Sequence, residues 1–408
     1  MCFKLFDMKD ELNTAYLRQI RTVMVLAVIV LALFVLKATS EVTLPVAFAL
    51  FLFAFVNPIM ERLTKFRVPS GVAILLVMVL VVSLFLVVAY FLGIMVNMLI
   101  AKLPYYAERV KSVDALLSAY AVEYIDDIPA NFSLIGSLNV DWYSILMSWL
   151  TSISSRVLSL LSDVMIILIT LMFLLLERST FMPKVSVALD RERGQKFSSM
   201  LGRINRQIAK YLSLKAVISL ATGVCFYLTA LVTGLDFALL WGFLAFVLNF
   251  IPTIGSIVVT GLTIMMAVIQ FTPNWVMIVY VAVLTISIEM VLGNIIDPRI
   301  QGVQLNISPL MILISLSFWG YIWGIAGMFL AVPIMSIIQI VCLTVPSLKP
   351  VAIILSSGKS YVREYREKEA LKKTIVRKRR SRAAESSAMG DRNDDIILPV
   401  GPNSIEEK

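Results

Sequence analysis

Between Trp275 and Leu292 the chain is almost wholly apolar, apart from one carboxylate, Glu289. It then meets the polar, breaker-rich stretch Gly293-Asn294-Ile295-Ile296-Asp297-Pro298-Arg299-Ile300-Gln301-Gly302. A second apolar run covers 308–345 and is cut by Trp319-Gly320, Gly324, Gly327 and Pro333. Bilayer hydrocarbon offers no hydrogen-bond partners, so polar groups and helix breakers at that depth are costly. They persist where protein buries them or where they line a wet cavity. A lone hydrophobic helix cannot satisfy this pattern; a bundle with a polar interior can.

Composition supports the same reading. The chain is 59% hydrophobic and 15% charged, and its mean hydropathy is +0.88. Soluble domains are roughly half apolar and about a quarter charged. The apolar runs are continuous, whereas barrel strands alternate. The expected fold is therefore an all-α polytopic membrane protein with about eight hydrophobic units. There is no histidine, which excludes Ser-His and Cys-His catalysis and His-based zinc sites. Cys2, Cys225 and Cys342 form no CxxC spacing. Gly358-Lys359-Ser360 resembles the end of a phosphate loop, but Ile353 stands where that loop needs glycine. Neither an enzyme, a cofactor nor a metal is expected.

A membrane helix needs roughly 20 apolar residues. The candidates are 21–38, 42–59, 71–100, 157–177, 212–233, the longer region 235–270, 275–296 and the long run 308–346. The first run lacks a convincing cleavage site before Glu41 and is read as a retained anchor. Residues 1–20 form an N-terminal segment, 21–100 hold the first three helices, and 101–156 form an outer segment, either amphipathic helices or a connector. The transport core is 157–346, with a basic loop at 178–211, and 347–408 is a basic and then polar tail. Lys and Arg of the N-terminus, of the second loop, of the loop reaching Lys215 and of the tail fit the cytoplasm, with both termini inside. Segment 101–156 carries six acidic and four basic residues and suits the outer side. The run Arg377-Lys378-Arg379-Arg380 lies among apolar residues, which favours a membrane surface over nucleic acid. Residues 383–408 are polar enough to be disordered.

Two regions are too long for a simple span. As one straight helix, 235–270 would extend about 54 Å against roughly 30 Å of hydrocarbon. Its middle reads Asn249-Phe250-Ile251-Pro252-Thr253-Ile254-Gly255-Ser256. Pro252 removes a backbone donor, and Gly255 permits a tight reversal. Region 308–346 has a comparable break at Trp319-Gly320-Tyr321-Ile322-Trp323-Gly324. Each region is either a kinked span or a re-entrant helical hairpin, and charge bias does not choose between them.

Paired broken segments point to a transporter's binding site. The candidate pathway residues are Asn249, Pro252, Gly255, Glu289, Asn294, Asp297 and Arg299. Glu289 is the candidate for coupling to an ion, because an ionisable residue at membrane depth is functional by default. Pro298, Gly302, Pro309, Gly320, Gly324, Gly327 and Pro333 are the candidate hinges and breaks. The expected partners are the lipid bilayer, a small polar solute, and protons or sodium. A membrane scaffold, using 101–156 and the basic tail to bind partners, is the competing class.

These residues resemble the autoinducer-2 exporter family of bacterial membrane permeases. The resemblance is strongest over 235–345. It rests on Asn249-Phe250-Ile251-Pro252-Thr253-Ile254-Gly255, on Gly293-Asn294 with Pro298-Arg299 and Gly302, and on Leu305-Asn306-Ile307-Ser308-Pro309. Ser315-Leu316-Ser317-Phe318-Trp319-Gly320, Gly324, Gly327-Met328 and Val332-Pro333 continue it. The resemblance implies a bacterial inner-membrane permease, a homo-oligomer, and export of a small polar solute such as autoinducer-2. Some relatives are thought to exchange sodium and protons instead. Many relatives carry a carboxylate beside the Gly-Asn pair. Here Leu292 precedes that pair, and Glu289 stands one turn earlier.

Overall fold

The computed structural model describes residues 2–124, 133, 142–297, 299, 306–358 and, in the tail, 361–363, 366–367, 369–370 and 374. Pro298, Gly302 and the expectations for 377–408 lie outside the described residues. The helices are α1 (Cys2–Ala38), α2 (Ser40–Lys65), α3 (Ser70–Tyr124), α4 (Trp142–Ala188) and α5 (Arg191–Thr233). Then come α6 (Ala238–Leu248), α7 (Ile254–Phe271), α8 (Trp275–Ile288) with its π-helical extension Glu289–Ile296, α9 (Pro309–Thr344) and α10 (Lys349–Leu355). Among the described residues, seven helices are long and apolar enough to cross a bilayer. The all-α polytopic expectation holds.

Two stretches between the apolar runs are also helical. Residues 101–124 continue α3 straight through Pro104, giving a helix of 55 residues, or about 82 Å at 1.5 Å per residue. The basic stretch 178–211 is divided between the end of α4 and the start of α5, which break only at Leu189 and Asp190. Lys and Arg are good helix formers, so they extend apolar helices past the bilayer rather than ending them.

α5 is the central column. Its buried positions include Ile204, Ile208, Tyr211, Lys215, Ser219, Thr222, Phe226, Ala230 and Thr233, a repeat of three or four residues. That stripe packs on α2, α6, α8 and α9. Near its start, α5 faces Asn57 and Glu61 of α2 across a cleft. At its far end it reaches the base of the α6–α7 unit, where Gln270 accepts from the Asp236 amide at 2.8 Å and donates to the Gly234 carbonyl at 2.8 Å.

Those last bonds join the two ends of region 235–270, so α6 and α7 form an antiparallel hairpin. Its tip is Asn249–Thr253. Gly255 closes it, because a Cβ there would stand 1.7 Å from the Leu248 carbonyl oxygen. α9 is also a hairpin. The Ser315 hydroxyl donates to the Ala331 carbonyl at 2.9 Å. In a straight helix those residues would be about 24 Å apart. The chain reverses at Gly324 (φ 64°, ψ −146°). Gly327 meets the Trp319 carbonyl much as Gly255 meets Leu248, with a hypothetical Cβ 2.0 Å away.

The two hairpins enter from opposite ends of the bundle. α3 clamps the first base. Lys102 donates to Asp236 at 2.6 Å, Tyr106 donates to the same oxygen, and Arg109 donates to the carbonyls of Ile269, Gln270 and Thr272. The second base lies at the end carrying Arg203 and Arg206, where Gln207 of α5 donates to Ser336 of α9 at 2.9 Å. Residues 306–308 pair with 355–357 there and close it: Ser308 N–H donates to the Leu355 carbonyl and Ser357 N–H to the Asn306 carbonyl, both at 3.0 Å. The hairpins overlap in the interior. Phe250 stacks on Phe329 with ring centroids 4.7 Å apart, and Ile251 packs with Leu316, Trp319 and Ala331.

Candidate functional site

Three elements converge beside the first hairpin tip: the mid-region of α5, the α6–α7 turn, and the π-helical end of α8. Counting back from Thr233 at 1.5 Å per residue, Ser219 lies about 21 Å and Lys215 about 27 Å from the far end of α5. Both face inward on the stripe described above. Asn249, at the C-terminal end of α6, is 4% exposed and donates its amide to Ser219 Oγ at 3.0 Å. Lys215 is 2% exposed. Its ammonium donates to Asp297 Oδ2 at 2.7 Å, and Asp297 keeps 17% exposure. Tyr211, one turn before Lys215, is also buried and lies within the field of Asp297.

Glu289 opens the π-helical segment and is 7% exposed. Both carboxylate oxygens are buried without a hydrogen-bond partner. The Ser256 hydroxyl, in the first turn of α7, faces the carboxylate. Gly293 leaves room for the carboxylate: a Cβ there would be 3.0 Å from Oε2. A π-helical turn carries an extra residue and shifts the helix phase, and such turns recur at functional sites. Glu289 opens this segment and Asp297 follows it directly.

The sequence-predicted residues therefore divide. Asn249, Glu289 and Asp297 come together, with Lys215 and Asp297 both close enough to act electrostatically on Glu289. Pro252 and Gly255 shape the tip beside them, Pro252 half-buried and Gly255 buried. Asn294 points outward, its amide 3.4 Å from Met290 Sδ, and Arg299 is exposed. Pro309 starts α9, Gly320 packs against Met328 across the second hairpin, Gly324 is its reversal, and Pro333 is buried in its return arm. The sequence reading did not single out Lys215, Ser219 or Tyr211. It counted Lys215 among topological loop charges. Lys215 nevertheless falls on the 3.6-residue phase of Ile208, Tyr211, Ser219 and Thr222, a signal present in the sequence.

At the far end, burial pushes the Asp236 carboxyl up. The hydrogen bonds from Lys102 and Tyr106 outweigh burial and hold it below its ordinary value. Among the described residues, no group of three or more Cys, Asp or Glu side chains is placed to hold a metal ion. Beside the first hairpin tip, the described polar groups are one ammonium, two carboxylates, hydroxyls and an amide.

A sequence profile described as "AI-2E family transporter" matches residues 24–347. A Borreliella burgdorferi protein named for a transport role is 32% identical over 323 residues, covering 79% of this chain and 86% of the relative. A Haemophilus influenzae protein, also named for transport, is 28% identical over 351 residues, covering 84% of this chain and 97% of its own. The AI-2 transport protein TqsA of Escherichia coli K12 is 28% identical over 350 residues, covering 83% of this chain and 96% of its own. With the profile spanning both hairpins and the buried polar cluster, the chain is a multi-pass membrane protein that belongs to the AI-2E family of transporters.

Proposed function

We propose that this protein is a secondary transporter of the bacterial inner membrane, with both termini cytoplasmic, that exports a small polar solute such as autoinducer-2. The observation that carries the proposal is Glu289: a buried, unpartnered carboxylate beside a buried Lys215–Asp297 pair, where two opposed broken hairpins overlap. An isolated carboxylate in apolar surroundings is costly, and a proton or a cation removes that cost. Loading and release at Glu289 would thus change the charge beside the hairpin tips. Parting of the Phe250–Phe329 stack would open the pathway. Asn249 and Ser256 supply neutral polar groups for a hydroxylated solute.

Sodium–proton exchange is the second reading. The cluster favours it because its strongest groups are charged and few neutral donors surround them. Homo-oligomer formation belongs to the proposal as well.

Counterflow of labelled autoinducer-2 in proteoliposomes, against empty vesicles, tests the first reading. Saturable exchange supports it. Absence of exchange by folded protein, together with sodium-driven proton flux in the same vesicles, replaces it with the second.

A further inference from the structure

We propose that Arg203, Arg206 and Lys210 on α5 form a binding site for the phosphate of an anionic phospholipid headgroup. Their spacing of three and then four residues puts them on one face of the helix. That face borders two openings. One is a cleft of about 980 Å³ towards α2, whose wall includes Asn57, Ser199 and Asn205. The other is a groove of about 390 Å³ towards α9, walled by Gln207, Ile340 and Leu343. All three cations are exposed. The single carboxylate in the wall, Glu61, is engaged by Arg178 at 3.4 Å and by Asn57 at 3.0 Å.

Depth selects the ligand. Lys210 lies about 35 Å, and Arg203 about 45 Å, from the Thr233 end of α5, counted at 1.5 Å per residue. Hydrocarbon is roughly 30 Å thick, so the cluster sits at headgroup level on one side. Basic pockets between membrane helices at that level suit anionic headgroups. Ile340 and Leu343 give an acyl chain an apolar wall, and the guanidinium groups supply forked donors to phosphate oxygens. A lipid held there would tie α5 to the return arm of the second hairpin, five residues from Lys215. The site does not depend on which solute is carried.

The test is titration of the full-length protein in detergent with short-chain phosphatidylglycerol, phosphatidylcholine and inorganic phosphate, read by native mass spectrometry. Saturable phosphatidylglycerol binding is expected. R203Q/R206Q/K210Q should weaken it by roughly a hundredfold, at about fivefold per basic residue. K184Q/R193Q/K196Q, an equal charge loss away from the openings, should leave it unchanged. R203K/R206K/K210R should retain most of the binding, which separates loss of charge from loss of fold. Unchanged binding in the glutamine variant overturns the site. Inorganic phosphate binding as tightly as the lipid overturns the lipid assignment and makes the ligand a soluble phosphate.

Discussion

Removal of Lys215 and Asp297 together should destabilise the protein by clearly less than the two single removals summed. The ammonium and carboxylate are 2.7 Å apart, which corresponds to about 6 kcal/mol of attraction at an effective dielectric constant of about 20. Desolvation offsets most of that gain, so the pair adds little net stability. Breaking it is another matter. Lys215→Met removes the ammonium that faces Asp297 in a largely buried position, and loss of one partner of a buried pair costs about 3–5 kcal/mol. Asp297 keeps 17% exposure, so some hydration returns and the lower end, about 3 kcal/mol, applies. Asp297→Leu strands Lys215, which is 2% exposed and should cost at least as much. The double variant leaves no orphan charge and should recover about 2–3 kcal/mol of the summed losses. Equilibrium unfolding in mixed detergent micelles, followed by tryptophan fluorescence, measures all four corners of the cycle. Additivity within about 0.5 kcal/mol refutes a coupled buried pair.

Other consequences are as direct. Glu289→Gln keeps the shape of the side chain and should leave the fold intact while abolishing gradient-driven exchange; full activity in vesicles with an imposed gradient rules out the coupling role. Arg109→Ala removes three bonds to the carbonyls of 269–272. It should cost about 1–3 kcal/mol and raise hydrogen exchange at the α7 terminus, with no change in α9. Asp236 is held below its ordinary value in the folded protein. Its contribution is therefore complete above the unfolded carboxylate value near 3.9 and is lost as pH falls through the lower folded value. Acid melting should show that loss, and Asp236→Asn should remove it. Gly255→Ala drives a methyl into the Leu248 carbonyl; the first tip should open and thermal stability should drop, whereas Gly261→Ala, with open space around it, should be neutral.

Much of the architecture is legible in the amino-acid sequence, because bilayer physics leaves few choices. Each apolar run became a helix, and both breaks fall where Pro252 and Gly324 stand. Kink and hairpin could not be told apart locally. The decision lies in contacts between distant residues, such as Ser315 with Ala331 and Asp236 with Gln270. Pro104 stands inside α3, which passes through it. Glu289, Asn249 and Asp297 were legible as polar groups at membrane depth. Lys215 was not, since a lysine beside a basic stretch satisfies the positive-inside rule without further explanation. Its helical phase, not its charge, places it in the core. The π-helical segment between Glu289 and Asp297 left no mark in the sequence pattern.

The central claim is that the overlapping hairpin tips must part for a solute to cross. Phe250 and Phe329 stack at 4.7 Å between ring centroids, so cysteines at these positions, in a background lacking Cys2, Cys225 and Cys342, are within reach of a short reducible cross-linker. The measurement is exchange in proteoliposomes, of labelled autoinducer-2 or of sodium for protons, before cross-linking, after it, and after reduction. The account predicts exchange that stops on cross-linking and returns on reduction. Undiminished exchange through fully cross-linked protein would contradict it.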